Sequence, residues 1–220
     1  MPREAPASLV VLASGRGSNL RALWDAMARG RCAMRLRAVL SDRAEAPALR
    51  FARQCGVATH VVPRARGEDR EDWSARLVEA VATHRPDWVV LAGFMRILPD
   101  ELVEDFEGRM LNIHPSLLPK YRGLHTFRRV LEAGDPVHGS TVHFVVPELD
   151  AGPSIIQYRL LVRADDTEAT LKQRVQRGEH LIYPRAIDWF AHGRLKLEDG
   201  AAWLDGKRLD TPVIVEENDA

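Results

Sequence analysis

The sequence predicts an α/β fold, a doubly wound and mostly parallel sheet with a partly antiparallel C-terminal edge. Three observations carry this reading. Short apolar runs alternate with segments of helical period across residues 8–92. The first of these runs are apolar on both faces, as strands covered by helices on two sides must be. Farther on, two neighbouring runs at 140–146 and 154–162 have the spacing of strands that pair antiparallel.

Taken in order, residues 8–13 (S-L-V-V-L-A) form a buried first strand, followed by the turn S-G-R-G-S-N. Leu20, Leu23, Trp24 and Met27 then recur at helical spacing. A second strand covers 35–40 and ends in Ser41-Asp42. A helix over 47–54 stops at Gly56, and a third strand covers 57–62. Trp73, Leu77 and Val81 place a helix over about 69–84. The fourth strand, 87–92, follows Pro86. Beyond it the pattern predicts a helix at 99–106, a fifth strand at 110–114 and a helix at 124–133. After the two paired strands, Asp165 and Glu168 are expected to cap a long helix that buries Leu171, Val175, Ile182 and Trp189. A hairpin spans 195–204 around Asp199-Gly200, and the acidic tail after Pro212 is expected to be loose.

A chain of 220 residues is long enough for one α/β domain, burying roughly 70% of its unfolded surface. One domain over 1–220 is expected, since repeats, low-complexity tracts and a linker are not seen. Acidic and basic residues number 31 each, so the large positive excess of a nucleic-acid binder is absent. Cys32 and Cys55, far apart in sequence, suggest neither a disulfide framework nor a cysteine metal site, which points to a reducing cytoplasm. Residues 1–8 carry an acid, two prolines and no apolar run, so a signal peptide is not expected. No run approaches the roughly 18 apolar residues of a membrane span.

The glycine turn between first strand and first helix presents backbone N–H groups and a helix dipole to an anion. Gly17, Ser18 and Asn19 are therefore candidates to hold a phosphate. A dinucleotide fingerprint needs a third glycine where this chain has Leu20, although Asp42 could stand in for the ribose-binding acid of a Rossmann-like site. A plain tight turn with a Ser or Asn cap is the simpler alternative.

Asn112 and His114 are two apart in a strand that ends at Pro115, so both face the same side at its carboxyl end. That edge is where open α/β sheets bind ligands. An amide and an imidazole together suit acyl transfer: the amide donates to an oxyanion, and the histidine donates or manages an amine proton. Asp150, in P-E-L-D-A-G-P, is the best carboxylate partner for the histidine, with Asp135 and Asp165 as alternatives. No G-x-S-x-G elbow or metal-ligand spacing is seen, and His60, His84, His138 and His143 read as surface or satisfied histidines.

Several long stretches carry a more specific signal. V-V-L-A-S-G-R-G-S-N-L, V-V-L-A-G-F-M-R-I-L, L-N-I-H-P-S-L-L-P-K-Y-R-G-L-H-T, G-S-T-V-H-F-V-V-P-E-L-D-A-G-P and E-H-L-I-Y-P occur in this order over about residues 8–205. With them the chain resembles the phosphoribosylglycinamide formyltransferase family, folate-dependent enzymes of purine biosynthesis. The resemblance implies the formyltransferase fold, with 8–92 as a nucleotide-binding half, 93–205 as a folate-binding and catalytic half and 206–220 as a tail. It implies 10-formyltetrahydrofolate as co-substrate, no metal, and glycinamide ribonucleotide as the small-molecule partner. No nucleic-acid or membrane partner and a monomer or weak homodimer are expected.

By position, the resemblance makes Asn112, His114 and Asp150 the catalytic trio. It assigns Gly17, Ser18, Asn19 and Glu179 to the nucleotide. Arg70, Met95, Arg96, Ile97 and Leu98 fall to the folate, together with Asn112 and the loop of Val146, Pro147, Glu148, Leu149 and Asp150. Read without the resemblance, Met95, Ile97 and Leu98 could be core, and Arg70 and Glu179 solvated helix charges. Two positions depart from the family pattern: Arg122, where proline is common, and Gly178, where a larger residue stands and where glycine is costly inside a helix.

Other readings remain. A methionyl-tRNA formyltransferase would use the same three side chains but add a C-terminal domain and a basic surface. A formyltetrahydrofolate hydrolase would add an N-terminal regulatory domain. A nucleotide- or dinucleotide-binding module without this chemistry would bind no folate.

Overall fold

The first strand, β1 (Ala7–Leu12), is buried along its whole length, as its two-faced apolar run requires. It belongs to a computed structural model that describes residues 6–217. The chain divides into two compact units between Leu111 and Asn112.

In the first unit β1 lies between two parallel neighbours, β2 (Met34–Ser41) and β4 (Trp88–Leu91), and β2 pairs in parallel with β3 (Ala58–Val61). The helices between them are α1 (Ser18–Ala28), α2 (Pro47–Gln54), α3 (Arg70–Ala82) and α4 (Asp100–Asp105). Every element expected from periodicity here is present, within one or two residues at its ends. Leu20, Leu23 and Ala26 bury one face of α1, and Trp73, Leu77 and Val81 bury one face of α3. Asp69 caps α3 by accepting the Glu71 amide at 2.8 Å. His60 and His84, read as surface or satisfied histidines, meet edge to face with ring centroids 4.7 Å apart.

In the second unit, β6 (Val137–Phe144) and β7 (Ser154–Leu161) run antiparallel, as the sequence pattern predicts. Strand β5 (Met110–His114) carries the boundary between the units, and α5 (Thr126–Ala133) leads into β6. The long helix α6 (Glu168–Ala191) buries Leu171, Val175, Ile182 and Trp189, as expected. Its cap differs from expectation. Thr167, not Asp165, is the N-cap, and Thr167 and Thr170 satisfy each other's backbone amides across one turn. The sheet as a whole is mixed and mostly parallel.

Of the segment expected to be a loose tail, residues 213–217 are ordered, and 218–220 lie outside the described residues. After the hairpin β8 (Leu195–Glu198) and β9 (Ala201–Leu204), with β10 (Lys207–Arg208) beside β9, the chain forms β11 (Val213–Glu216), parallel to β7. Glu217 then reaches Arg174 on α6 at 2.6 Å, and Asp166 holds the same guanidinium at 2.6 Å. Arg174 is buried at 7% exposure, so these two carboxylates supply the compensation that a buried cation needs.

Gly178 lies on the buried side of α6 because of its neighbour, the ring of Tyr158 on β7. A Cβ at position 178 would stand 1.9 Å from Cδ1 of Tyr158. The helical cost of glycine is thus offset by an aromatic ring packed onto the bare helix backbone.

Candidate active site

The second unit brings together the three side chains expected to act. Asn112 and His114 extend from β5, and the turn after β6 delivers Asp150, whose φ of +50° places it in the left-handed region. His114 Nδ1 is 3.3 Å from Asp150 Oδ2, and the same carboxylate oxygen accepts the Gly123 amide at 2.9 Å. Both partners of this contact are buried, with side-chain exposures of 8% and 7%. The other candidate carboxylate, Asp135, is engaged elsewhere, by the Tyr121 hydroxyl and Lys120.

One residue of this cluster was missed as a participant. His143 Nε2 lies 3.2 Å from Asn112 Nδ2 and 3.8 Å from Asp150 Oδ1. An amide nitrogen only donates, so His143 Nε2 accepts, and its Nδ1–H donates to the Phe144 carbonyl at 2.7 Å. Burial lowers the pKa of His143 to about 4, which keeps the ring neutral in this tautomer. His143 is thus a satisfied core histidine, as expected, and it also fixes which way the Asn112 amide points. The signal was available: strand alternation in T-V-H-F puts Thr141 and His143 on one face. His138 differs from expectation. It is 1% exposed, neither ring nitrogen makes a hydrogen bond of good geometry although the Pro115 backbone acts on the ring, and it meets Tyr121 and Phe127 edge-on. Burial lowers its pKa to about 4 as well.

The loop after β5 is tied down at several points. Thr141 Oγ1 donates to the Ser116 carbonyl and accepts the Leu118 amide, while Gln157 donates to the Leu118 carbonyl. Leu118–Pro119 is a cis peptide bond. Arg122 donates to Glu148 at 2.7 Å, joining this loop to the 146–150 turn. Of the turn itself, Leu149 is 54% exposed, Pro147 and Glu148 are exposed, and Val146 is half-buried. Glu179 is buried on α6, which excludes the reading of a solvated helix charge.

In the first unit the glycine turn leads directly into α1. Gly17 is the N-cap of α1 with φ +75°, and no acidic side chain occupies the first helical turn. A Cβ on Gly17 would come within 2.9 Å of the Ala48 Cα, so only glycine lets α2 approach so closely. Ser18 is half-buried and Asn19 buried beside it.

Asp42, a possible ribose acceptor in a dinucleotide site, is 1% exposed at its side chain and receives Arg96 Nε at 2.9 Å. With this carboxylate committed to Arg96, the dinucleotide reading loses its acid. Met95 and Ile97 are 57% and 59% exposed, so they are not core, whereas Leu98 is buried. The Met95 amide donates to Ser14 Oγ at 2.9 Å, which holds the segment against the end of β1. Arg70 is the first residue of α3 and exposed.

Among the described residues, no group of three or more His, Cys, Asp or Glu is placed to hold a metal ion. No described helix is long and apolar enough to cross a membrane.

The sequence matches a family model described as formyl transferase over residues 7–187. It is 52% identical over 202 residues to a phosphoribosylglycinamide formyltransferase of Escherichia coli K12, covering 92% of this chain and 95% of that protein. A Haemophilus influenzae protein of the same name is 39% identical over 91% of this chain and 95% of its own length. Among solved structures, a phosphoribosylglycinamide formyltransferase from Coxiella burnetii superposes with a TM-score of 0.90 at 46% identity, covering 95% of this chain and 99% of that one.

Proposed function

The chain belongs to the formyl transferase family, and from that membership we propose that it moves the formyl group of 10-formyltetrahydrofolate to the amine of 5-phosphoribosylglycinamide. The products are formylglycinamide ribonucleotide and tetrahydrofolate, in de novo purine biosynthesis in the cytoplasm. The observation that carries the reading is the buried contact of His114 with Asp150 beside an Asn112 amide oriented by His143.

The amine attacks the formyl carbon, forming a C–N bond and a tetrahedral oxyanion. Asn112 keeps one amide N–H for that oxyanion, since its other serves His143. His114 Nε2 is held by the Tyr121 carbonyl at 2.9 Å, which leaves Nδ1, facing Asp150, as the working nitrogen. His114 donates toward the oxyanion, and Asp150 fixes the ring. As the oxyanion collapses, the bond from the formyl carbon to folate nitrogen breaks, and the proton lost by the amine ends on that nitrogen. No enzyme nucleophile is required.

Gly17, Ser18 and Asn19 take the substrate phosphate in this reading, and Glu179 takes another part of the nucleotide. Arg70, the Met95–Leu98 segment and the turn from Val146 to Asp150 take the folate, with exposed Met95, Ile97 and Leu149 supplying apolar surface.

Purified protein incubated with glycinamide ribonucleotide and 10-formyltetrahydrofolate should release tetrahydrofolate only when the nucleotide is present. Equal release with methionyl-tRNA, or with water alone, would replace this acceptor with one of those two.

A further inference from the structure

The reaction needs His114 to present one particular nitrogen. Asp150 faces Nδ1, and the opposite side of the ring is held by the backbone carbonyl of Tyr121. That carbonyl accepts from Nε2 at 2.9 Å and so turns Nδ1 toward the carboxylate. A carbonyl can do this only if its peptide is held still, and that peptide lies in an unfavourable conformation. Tyr121 has φ +56°, the left-handed region that a bulky side chain avoids.

What holds it there is its own side chain. The Tyr121 hydroxyl donates to Asp135 Oδ2 at 2.7 Å, and Lys120 Nζ reaches the same oxygen at 2.9 Å. The ring packs edge-on against buried His138, and the Arg129 guanidinium lies 5.3 Å from its centroid. Arg129 also donates to the carbonyl of Arg122, the next residue along. Upstream, Ser116 Oγ donates to the Lys120 carbonyl. The hydrogen bond lowers the pKa of Asp135 and raises that of Tyr121, as expected where a phenol is bound to an ionised carboxylate.

We propose that Tyr121 and Asp135 are positioning residues for the formyl transfer, the side-chain bond between them fixing the Tyr121 carbonyl that selects the working nitrogen of His114. This rests on the functional reading above for its kinetic consequence, but not for its geometric one. Neither residue needs to touch either substrate. Their effect should therefore appear in kcat, with KM for both substrates little changed.

The test uses Tyr121→Phe, Asp135→Ala and the conservative Asp135→Asn, whose amide oxygen can still accept the phenol. Tyr121→Phe and Asp135→Ala should each lower kcat about tenfold, the double variant no further than either alone, and Asp135→Asn should retain most of the rate. In parallel, imidazole 15N NMR, assigned with His114→Gln, should show a protonated Nε2 for His114 in wild type and Asp135→Asn. That signal should broaden or exchange faster in Tyr121→Phe.

Unchanged kcat in Tyr121→Phe and Asp135→Ala, or an unchanged His114 signal in Tyr121→Phe, overturns the proposal. So does a loss that tracks a lowered melting temperature and is shared by Asp135→Asn. The NMR arm needs no turnover. If wild type transfers no formyl group at all, the functional reading fails and the geometric proposal is still decided.

Discussion

The Asn112 amide and the His143 imidazole hold each other in a single arrangement, Nδ2 donating across 3.2 Å to Nε2. The acceptor role of Nε2 depends on Nδ1 carrying the proton it donates to Phe144. A neutral, buried histidine is thereby coupled to the orientation of the amide that faces the reaction.

Asn112→Ala should fold normally and lose two or more decades of kcat, since removing one oxyanion donor typically costs about 3 kcal/mol of barrier. His143→Leu should lose less, about tenfold, because the amide remains but can turn over. Steady-state kinetics on both variants decide the matter: near-normal turnover by Asn112→Ala would remove it from the mechanism.

Stability should fall in acid for a reason that the fold makes specific. Burial lowers the pKa of His138 and of His143 to about 4 in the folded chain, against about 6.5 when unfolded. Below pH 6.5 the unfolded chain therefore takes up protons that the folded chain refuses. Stability is fully present above that value and declines as pH falls toward 4, by about 2–3 kcal/mol per histidine at most. Urea unfolding at pH 7 and pH 4.5 measures the decline, and His138→Gln should make it shallower. An identical pH slope in that variant would show that His138 contributes nothing to it.

The order of the elements was legible because each strand up to β5 is a local apolar run bounded by turn residues, and each helix shows its own period. What escaped was non-local. β11 was hidden because V-I-V-E is followed by acidic residues, and the partner that orders Glu217, Arg174, lies 43 positions away. Gly178 looked like a defect in α6 until Tyr158, 20 residues earlier, supplied the ring that needs the space. Asn112 and His114 were found by strand alternation, and Asp150 by its loop and the family resemblance. Tyr121 was missed because its contribution is a backbone carbonyl, which no side-chain pattern reports.

Gly178→Ala should destabilise the chain by about 1–3 kcal/mol, the usual cost of forcing an added carbon into a packed site. Since the three atoms nearest the added carbon all belong to the ring, the same change should cost much less in a Tyr158→Ala background. A double-mutant cycle by urea unfolding reads the coupling directly. Additive effects would mean that the ring is not what position 178 accommodates.

Glu217→Ala removes one of two carboxylates from the buried Arg174 guanidinium. A loss of about 1–3 kcal/mol is expected, smaller than for a pair broken outright because Asp166 remains. Hydrogen exchange should quicken across β11, whose last residue adjoins position 217, while exchange in β6 should be unchanged. Unaltered protection of the β11 amides would mean that its pairing with β7 alone keeps this end in place.

Gly17→Ala tests the phosphate turn. The substitution meets two penalties at once: a left-handed φ of +75°, and a Cβ 2.9 Å from the Ala48 backbone. The turn must shift, and with it the first amides of α1 that would face the phosphate. KM for the phosphoribosyl substrate should rise about tenfold or more, while KM for the folate and the catalytic protonation steps change little. Calorimetric titration with glycinamide ribonucleotide, and with the nucleoside lacking its phosphate, separates the two effects of the change. A variant that loses affinity for both ligands equally has lost the shape of the turn without revealing a phosphate site. A loss confined to the phosphorylated ligand locates the anion at Gly17.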